Sequence, residues 1–280
     1  MQKIIFTKQI QEYSEHIDQS LIDYLKENQM ETFESFPNYD IIAFNWYDIN
    51  RISRKPQKIV IYIDKEDLFY LCEDIESYEV VNRYYKANED NETALCLFFG
   101  NIFKGSIEHL EEIEDRVSEV DGSVLHGIKK SDREQIAGLR FEVLRLKKYY
   151  EQFELIFEEL CDNENNLISS KCLKHFKILK NRFIKLSSMV LNLKEYITQV
   201  RESYQAQIDI EQNELMKFFT ITTSIFLPLT LITGWYGMNL KMPEYGWNYG
   251  YPFMIGLCVF VIFAWIFIFK KKRIKIPCFI

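Results

Sequence analysis

Two long stretches without charge, close to the C-terminal end, constrain this 280-residue chain more than any other feature. Phe218–Met238 holds no Asp, Glu, Lys or Arg, and neither does Tyr251–Phe269. At about 1.5 Å of rise per residue, each helix reaches roughly 30 Å, the thickness of a bilayer's hydrocarbon core. The alternative is a buried helical hairpin in a soluble core, but both stretches have spanning length and the second ends in bases. Trp235, Tyr236, Tyr245, Trp247, Tyr249 and Tyr251 gather at the connecting loop, as an interfacial aromatic belt does.

Charge sets the orientation. Lys270, Lys271, Lys272, Arg273 and Lys275 follow the second span and Lys217 precedes the first, while the loop has Lys241 alone. Bases stay on the cytoplasmic side, so the expectation is a multi-pass protein of the plasma (inner) membrane with both termini cytoplasmic. The N-terminal residues are polar and do not read as a signal peptide. Net charge is −7 for the chain and −12 for residues 1–217, which argues against nucleic acid as a partner. Cys72, Cys96, Cys161, Cys172, Cys258 and Cys278 show no paired spacing, and His16, His109, His126 and His175 are scattered. Free thiols in a reducing compartment fit, and a zinc site does not.

The rest of the chain has two textures. Within residues 1–90, Ile41–Tyr47, Lys58–Ile63 and Leu68–Cys72 read as strands, and Ile10–Lys26 and Ile75–Lys86 as helices, giving a small α/β domain. From residue 91 the pattern is helical, with breaks at Gly122–Gly127 and Asp162–Asn166. Three long helices follow, near 91–121, 131–161 and 170–238. The middle one steps 3, 4, 3, 4 through Ile136, Leu139, Val143, Leu146, Tyr150, Phe153, Phe157 and Leu160. The third does so from Phe176 through Phe183, Val190 and Ile197 to Tyr204. Such seams make helices pack along one another, and no stop signal separates the third helix from the first span. The fold class expected is an α+β membrane protein: an α/β domain over 1–90, coiled-coil-like stalk helices over 91–212 and a transmembrane hairpin over 213–280. A helix this long has too little core of its own to cover it, which points to an oligomer.

The first span carries a polar stripe. Asn213, Met216, Thr220, Thr223, Leu227, Thr230, Gly234 and Gly237 share one face on a heptad count, and Glu202 and Asp209 lie near the same line upstream. Small and hydroxyl residues on one face mean helix packing or a water-filled path. The second span is apolar on all sides and reads as a lipid-facing shield.

At the outer end of the first span stands Tyr236-Gly237-Met238-Asn239. Met242-Pro243-Glu244 and Trp247-Asn248-Tyr249-Gly250-Tyr251-Pro252 follow, then a span and a basic tail. With Asn213-Glu214-Leu215-Met216-Lys217 and Ile225-Phe226-Leu227-Pro228-Leu229-Thr230 before it, this resembles the CorA-type magnesium transporters. The resemblance implies a homopentameric funnel whose first spans line a pore for divalent cations and whose second spans ring it in the lipid bilayer. Asn239 would form an amide ring at the outer mouth, beside Tyr236, Gly237, Met238 and Glu244. Amide oxygens accept hydrogen bonds from a hydrated Mg²⁺, an ion that sheds water reluctantly. Asn213 and Thr230 would be further polar stations, and Met216 and Leu227 apolar constrictions. Glu202 stands where the family has an acid on the pore stripe. Leu21-Ile22-Asp23-Tyr24-Leu25 is similar to a family segment that makes Asp23 a ligand for regulatory cytoplasmic Mg²⁺. At the family's acidic partner position this chain has Ile178. The acid-rich segment Glu108–Asp121 is similar to the family's acidic helices, and is equally read as a solvated face. The basic tail is either a ring at the inner mouth or a topology anchor. No phosphate-binding loop, dinucleotide fingerprint or His-Glu-x-x-His occurs, so neither an enzyme nor an organic cofactor is expected. The alternatives are transport of Co²⁺, Ni²⁺ or Zn²⁺ on the same scaffold, and a non-conducting membrane-anchored scaffold or sensor.

Overall fold

The computed structural model describes residues 1–14, 16–17, 22, 32–48, 55–88, 90–127, 129–238, 246 and 248–271. They fall into two units, Met1–Glu202 and Ser203–Ile280.

The first unit begins with a five-stranded sheet: β1 (Gln2–Phe6), β2 (Phe33–Ser35), β3 (Tyr39–Trp46), β4 (Gln57–Asp64) and β5 (Leu68–Cys72). The strand order is β1-β5-β4-β3-β2. β1 runs parallel to β5 and the other neighbours are antiparallel, with Ala43 opposite Val60 and Ile61 opposite Tyr70. The central strands are buried on both faces, which is why they read as unbroken apolar runs rather than as alternation. One face (Ile41, Ala43, Val60, Tyr62, Phe69, Leu71) packs with Ile10, Ile17 and Ile22. On the other face Phe44 meets Phe99 and Phe153, and Tyr70 meets Phe98.

Three strands lie where the sequence placed them, to within two residues, while β1 and β2 are additional. The helix expected over Ile10–Lys26 starts instead as a 3-10 helix over Thr7–Tyr13, and most of 15–31 lies outside the described residues. Helix α1 (Ile75–Tyr84) starts at a reciprocal cap: Asp74 Oδ1 accepts from the Ser77 N–H at 2.8 Å, and Ser77 Oγ accepts from the Asp74 N–H at 3.1 Å.

The single helix expected near 91–121 is two helices, α2 (Asn91–Ile102) and α3 (Ser106–His126). Gly105 separates them at φ +90°, a left-handed conformation that only glycine enters without strain. The turn lets Phe103 enter the core, 4.4 Å from the Phe153 ring and 4.5 Å from that of Phe183. Gly122 does not break α3; the helix runs on to Gly127, at φ +132°.

Helix α4 (Lys130–Asp162) and the start of α5 (Ser170–Tyr236) pack along the two predicted seams. Every seam residue from Ile136 to Leu160 and from Phe176 to Val200 is buried, and Tyr204 is half-buried. Phe157 stacks on Phe183 at 4.9 Å. The turn between the helices is tied down by amides. Asn163 adopts φ +46° and exchanges two hydrogen bonds with Ile168, while Asn165 donates to Asp40 Oδ1 at 2.6 Å and to the Phe36 carbonyl at 2.9 Å. Burial pushes the Asp40 carboxyl up, and its bonds from Ser35 and Asn165 oppose that shift.

The second unit holds the rest of α5 and α6 (Gly250–Lys271). Both helices are long and apolar enough to cross a membrane. Pro228 lies inside α5 and leaves the Ser224 carbonyl without its backbone donor.

Candidate functional site

The C-terminal half of α5 carries the features that need an explanation beyond packing. Asp209, Met216, Thr223, Thr230 and Gly237 are seven residues apart, and Asn213, Thr220, Leu227 and Gly234 form a second line with the same spacing. Glu202, the last residue of the first unit, continues the first line one heptad upstream. An α-helix drifts by about 20° per heptad, so lines this long stay on one face only if helices supercoil around one another. All ten side-chain or backbone positions on these two lines are exposed in the single chain. They include Met216 at 60% and Leu227 at 64% of full exposure, although both are large and apolar.

The threonines are held in one state. Thr220 donates its hydroxyl hydrogen to the Met216 carbonyl, Thr223 to that of Phe219 and Thr230 to that of Phe226, each at 2.8 Å. A hydroxyl has one hydrogen to give and two lone pairs to offer. With the hydrogen committed one turn back, each oxygen faces outward as an acceptor only. Acceptors suit the outward-pointing hydrogens of a hydrated cation. Thr233 bonds back to Leu229 at 2.9 Å in the same way, off both lines.

α5 ends at a tight corner. The Gly237 N–H donates to the Thr233 carbonyl at 2.9 Å, and that of Met238 to Trp235 at 3.4 Å. A Cβ on Gly237 would stand 2.9 Å from the same Thr233 oxygen, so the position takes no side chain without moving the backbone. Tyr236 is half-buried there and Met238 exposed. Asn239 and Glu244 lie outside the described residues, as do Asp23, Lys272, Arg273 and Lys275. Lys270 and Lys271 are exposed in the last turn of α6, where bases complement the helix dipole.

In the first unit, Ile178, which stands where the resemblance implies an acid, is 64% exposed. Glu108, Glu111, Glu112, Glu114, Asp115 and Glu119 are exposed on α3, a solvated face opposite the buried Leu110, Ile113, Val117, Val120 and Val124. His109 sits beneath that face, its Nε2 3.6 Å from the buried Glu142 Oε1, and Arg116 binds the other oxygen of Glu142. Burial holds the His109 imidazole below its ordinary value, with Arg116 adding to the shift and Glu142 and Glu112 opposing it. Among the described residues, no group of three or more His, Cys, Asp or Glu is arranged to hold a metal ion. Sequence reading picked out the threonines by spacing; it did not show that their hydrogens are used internally, which depends on a rotamer.

Comparison with known proteins agrees with this architecture. Residues 7–271 match the family described as "CorA-like Mg2+ transporter protein". The cobalt/magnesium transport protein CorA of Thermotoga maritima is 25% identical over 263 residues, 90% of this chain and 75% of that protein. The magnesium transport protein CorA of Helicobacter pylori is 28% identical over 193 residues, 67% of this chain and 59% of that one. The solved structure of the CorA magnesium transporter from Methanocaldococcus jannaschii superposes with a TM-score of 0.76 at 19% identity, covering 96% of this chain and 90% of that one, a likeness of fold.

Proposed function

The chain belongs to the CorA-like Mg²⁺ transporter family, and from that premise we propose that it carries Mg²⁺ across the plasma membrane through a homopentameric channel lined by α5. The observation that carries the reading is the double heptad line on α5, exposed and polar in a helix long enough to span a bilayer. Facing lipid, these groups would be wasted; facing one another around an axis, they form successive rings.

Each ring has a task. Asn239 at the outer mouth meets the hydrated ion with amide oxygens, which hold it less tightly than carboxylates would and so permit release. Thr230, Thr223 and Thr220 continue the contact with acceptor-only hydroxyls, and the ion keeps its water. Leu227 and Met216 supply apolar rings where the column of water can break, closing the path. Asn213, Asp209 and Glu202 face the cytoplasmic end, the carboxylates drawing cations toward it. α6, apolar all round, separates the rings from lipid. With both termini in the cytoplasm, a resting potential of 100 mV draws a divalent cation inward with about 4.6 kcal/mol. Cytoplasmic Mg²⁺ acting through Asp23 gates the channel, in a form altered by Ile178 at the position opposite.

Cobalt is the second cargo to consider, because the Thermotoga relative is named for both ions. The test is growth of a transporter-null cell in limiting magnesium. The wild-type chain restores growth, and Asn239→Ala, inserted at equal level, does not. Flux into proteoliposomes with Mg²⁺, Co²⁺, Ni²⁺ and Zn²⁺ compared, with and without a proton gradient, ranks the ions and separates passive from coupled flow. No flux of any ion from correctly inserted protein would leave a scaffold or sensor as the function.

A further inference from the structure

We infer that the acidic face of α3 docks into a basic groove between α4 and α5 of a second copy of the chain, clamping neighbouring cytoplasmic units together. The groove, of about 150 Å³, lies within the first unit. Its floor is apolar (Val143, Ile197) and its edges carry Arg140, Lys194 and Arg201, all exposed. Among the described residues none of these three bases forms an ion pair.

The complementary surface is on α3. At about 100° per residue, Glu108, Glu111, Glu112, Asp115 and Glu119 fall within an arc of about 100°. That arc lies opposite the buried Leu110, Ile113, Val117 and Val120. The face therefore points away from its own α4 and cannot reach its own groove; another molecule has to bring acid and base together. The periods agree. Glu108 and Asp115, and likewise Glu112 and Glu119, are seven residues apart, as are Lys194 and Arg201. Seven residues rise about 10.5 Å on either helix, so successive acids meet successive bases.

A second copy is the occupant the charges favour. Residues 1–217 carry −12, so cytoplasmic units held side by side repel one another unless acid is set against base. A groove on one copy and a helix face on the next make a head-to-tail contact, the kind that closes into a ring. Membrane anchoring raises the local concentration of the partner, so a modest, salt-sensitive contact suffices.

The inference rests on the oligomeric reading above, and the experiment separates the two. The full-length protein in detergent is weighed by light scattering, then treated with a carbodiimide, which joins a lysine to a carboxylate only where they touch. The expected result is a multimeric mass, covalent multimers on a denaturing gel, and a peptide linking Lys194 to Glu108, Glu112, Asp115 or Glu119. Lys194→Gln should reduce that linkage at least tenfold, and 0.5 M salt during the reaction should reduce it several-fold. Joint reversal (Arg140→Glu, Lys194→Glu, Arg201→Glu) should lower the salt concentration at which the multimer dissociates, and adding Glu108→Lys, Asp115→Lys and Glu119→Lys should restore it. A multimeric wild type whose Lys194 links only within one copy, or to other acids, overturns the docking and leaves the channel reading intact. So does a groove reversal that the α3 reversal fails to rescue. A monomeric wild type overturns the channel reading, and the docking with it.

Discussion

Gly237→Ala is a small change with a calculable consequence. The new Cβ would stand 2.9 Å from the Thr233 carbonyl oxygen, where ordinary contact begins at 3.4 Å, so the two must separate by about 0.5 Å. That oxygen also accepts the Gly237 N–H, at 2.9 Å. Separation stretches this bond to roughly 3.4 Å, beyond the usual 2.7–3.2 Å range. A lost hydrogen bond costs about 0.5–1.5 kcal/mol net in water, and more where no water replaces the partner. In the proposed pentamer the cost recurs five times, about 2.5–7.5 kcal/mol for the ring, enough to displace the corner that ends α5. Growth rescue and Mg²⁺ uptake should fall at least tenfold at equal membrane level. Gly256→Ala is the control: its Cβ meets nothing within 4 Å, and alanine is favoured in a helix interior by roughly 0.5–1 kcal/mol. Uptake of Gly237→Ala at the wild-type rate, with an unchanged melting temperature, would refute the steric argument.

Other perturbations read different parts of the molecule. Thr230→Ser keeps an oxygen that can bond back to Phe226 and should retain uptake, whereas Thr230→Val, of the same shape, should lower it several-fold; equal fluxes would remove the acceptor role. Phe183→Ala deletes a fully buried ring 4.5 Å from Phe103 and 4.9 Å from Phe157, and should cost about 3–5 kcal/mol, seen as a lower melting temperature, with Phe183→Leu much milder. His109 has a folded-state value below its ordinary 6.5, so its contribution to stability is complete above that pH and is lost as pH falls toward the lowered value. Melting temperatures from pH 7.5 to 5 should therefore decline less in His109→Gln than in the wild type, and parallel declines would exclude the histidine as a cause.

How much of this was legible in the residues depended on whether a contact is local. β3, β4 and β5 announce themselves because strands covered on both faces are apolar throughout. β1 does not: Gln2-Lys3-Ile4-Ile5-Phe6 is mixed, and the strand exists because it pairs with Leu68–Cys72, more than sixty residues away. The seams of α4 and α5 were visible as periodicity, since their packing repeats every turn or two. The corner between α2 and α3 escaped notice because one glycine, Gly105, sets it, and what it accomplishes is the burial of Phe103 against residues on two later helices.

The polar stripe on α5 shows the same division. Its spacing was legible, but periodicity alone did not choose between helix packing and a water path. Helix packing within the chain would bury the stripe; instead Asp209, Asn213, Met216, Thr220, Thr223, Leu227 and Thr230 are all exposed, while Ile221, between the two lines in sequence, is buried. Nothing among the described residues of the chain covers that face. Lipid would suit Met216 and Leu227 but not Asp209 or Asn213, and bulk water the reverse. A face on which one large apolar residue interrupts each line of polar and small residues suits the proposed axis of identical helices, where apolar rings would control wetting and polar rings would receive the ion. α6 differs by composition: it carries no such stripe, and its apolar surface suits lipid.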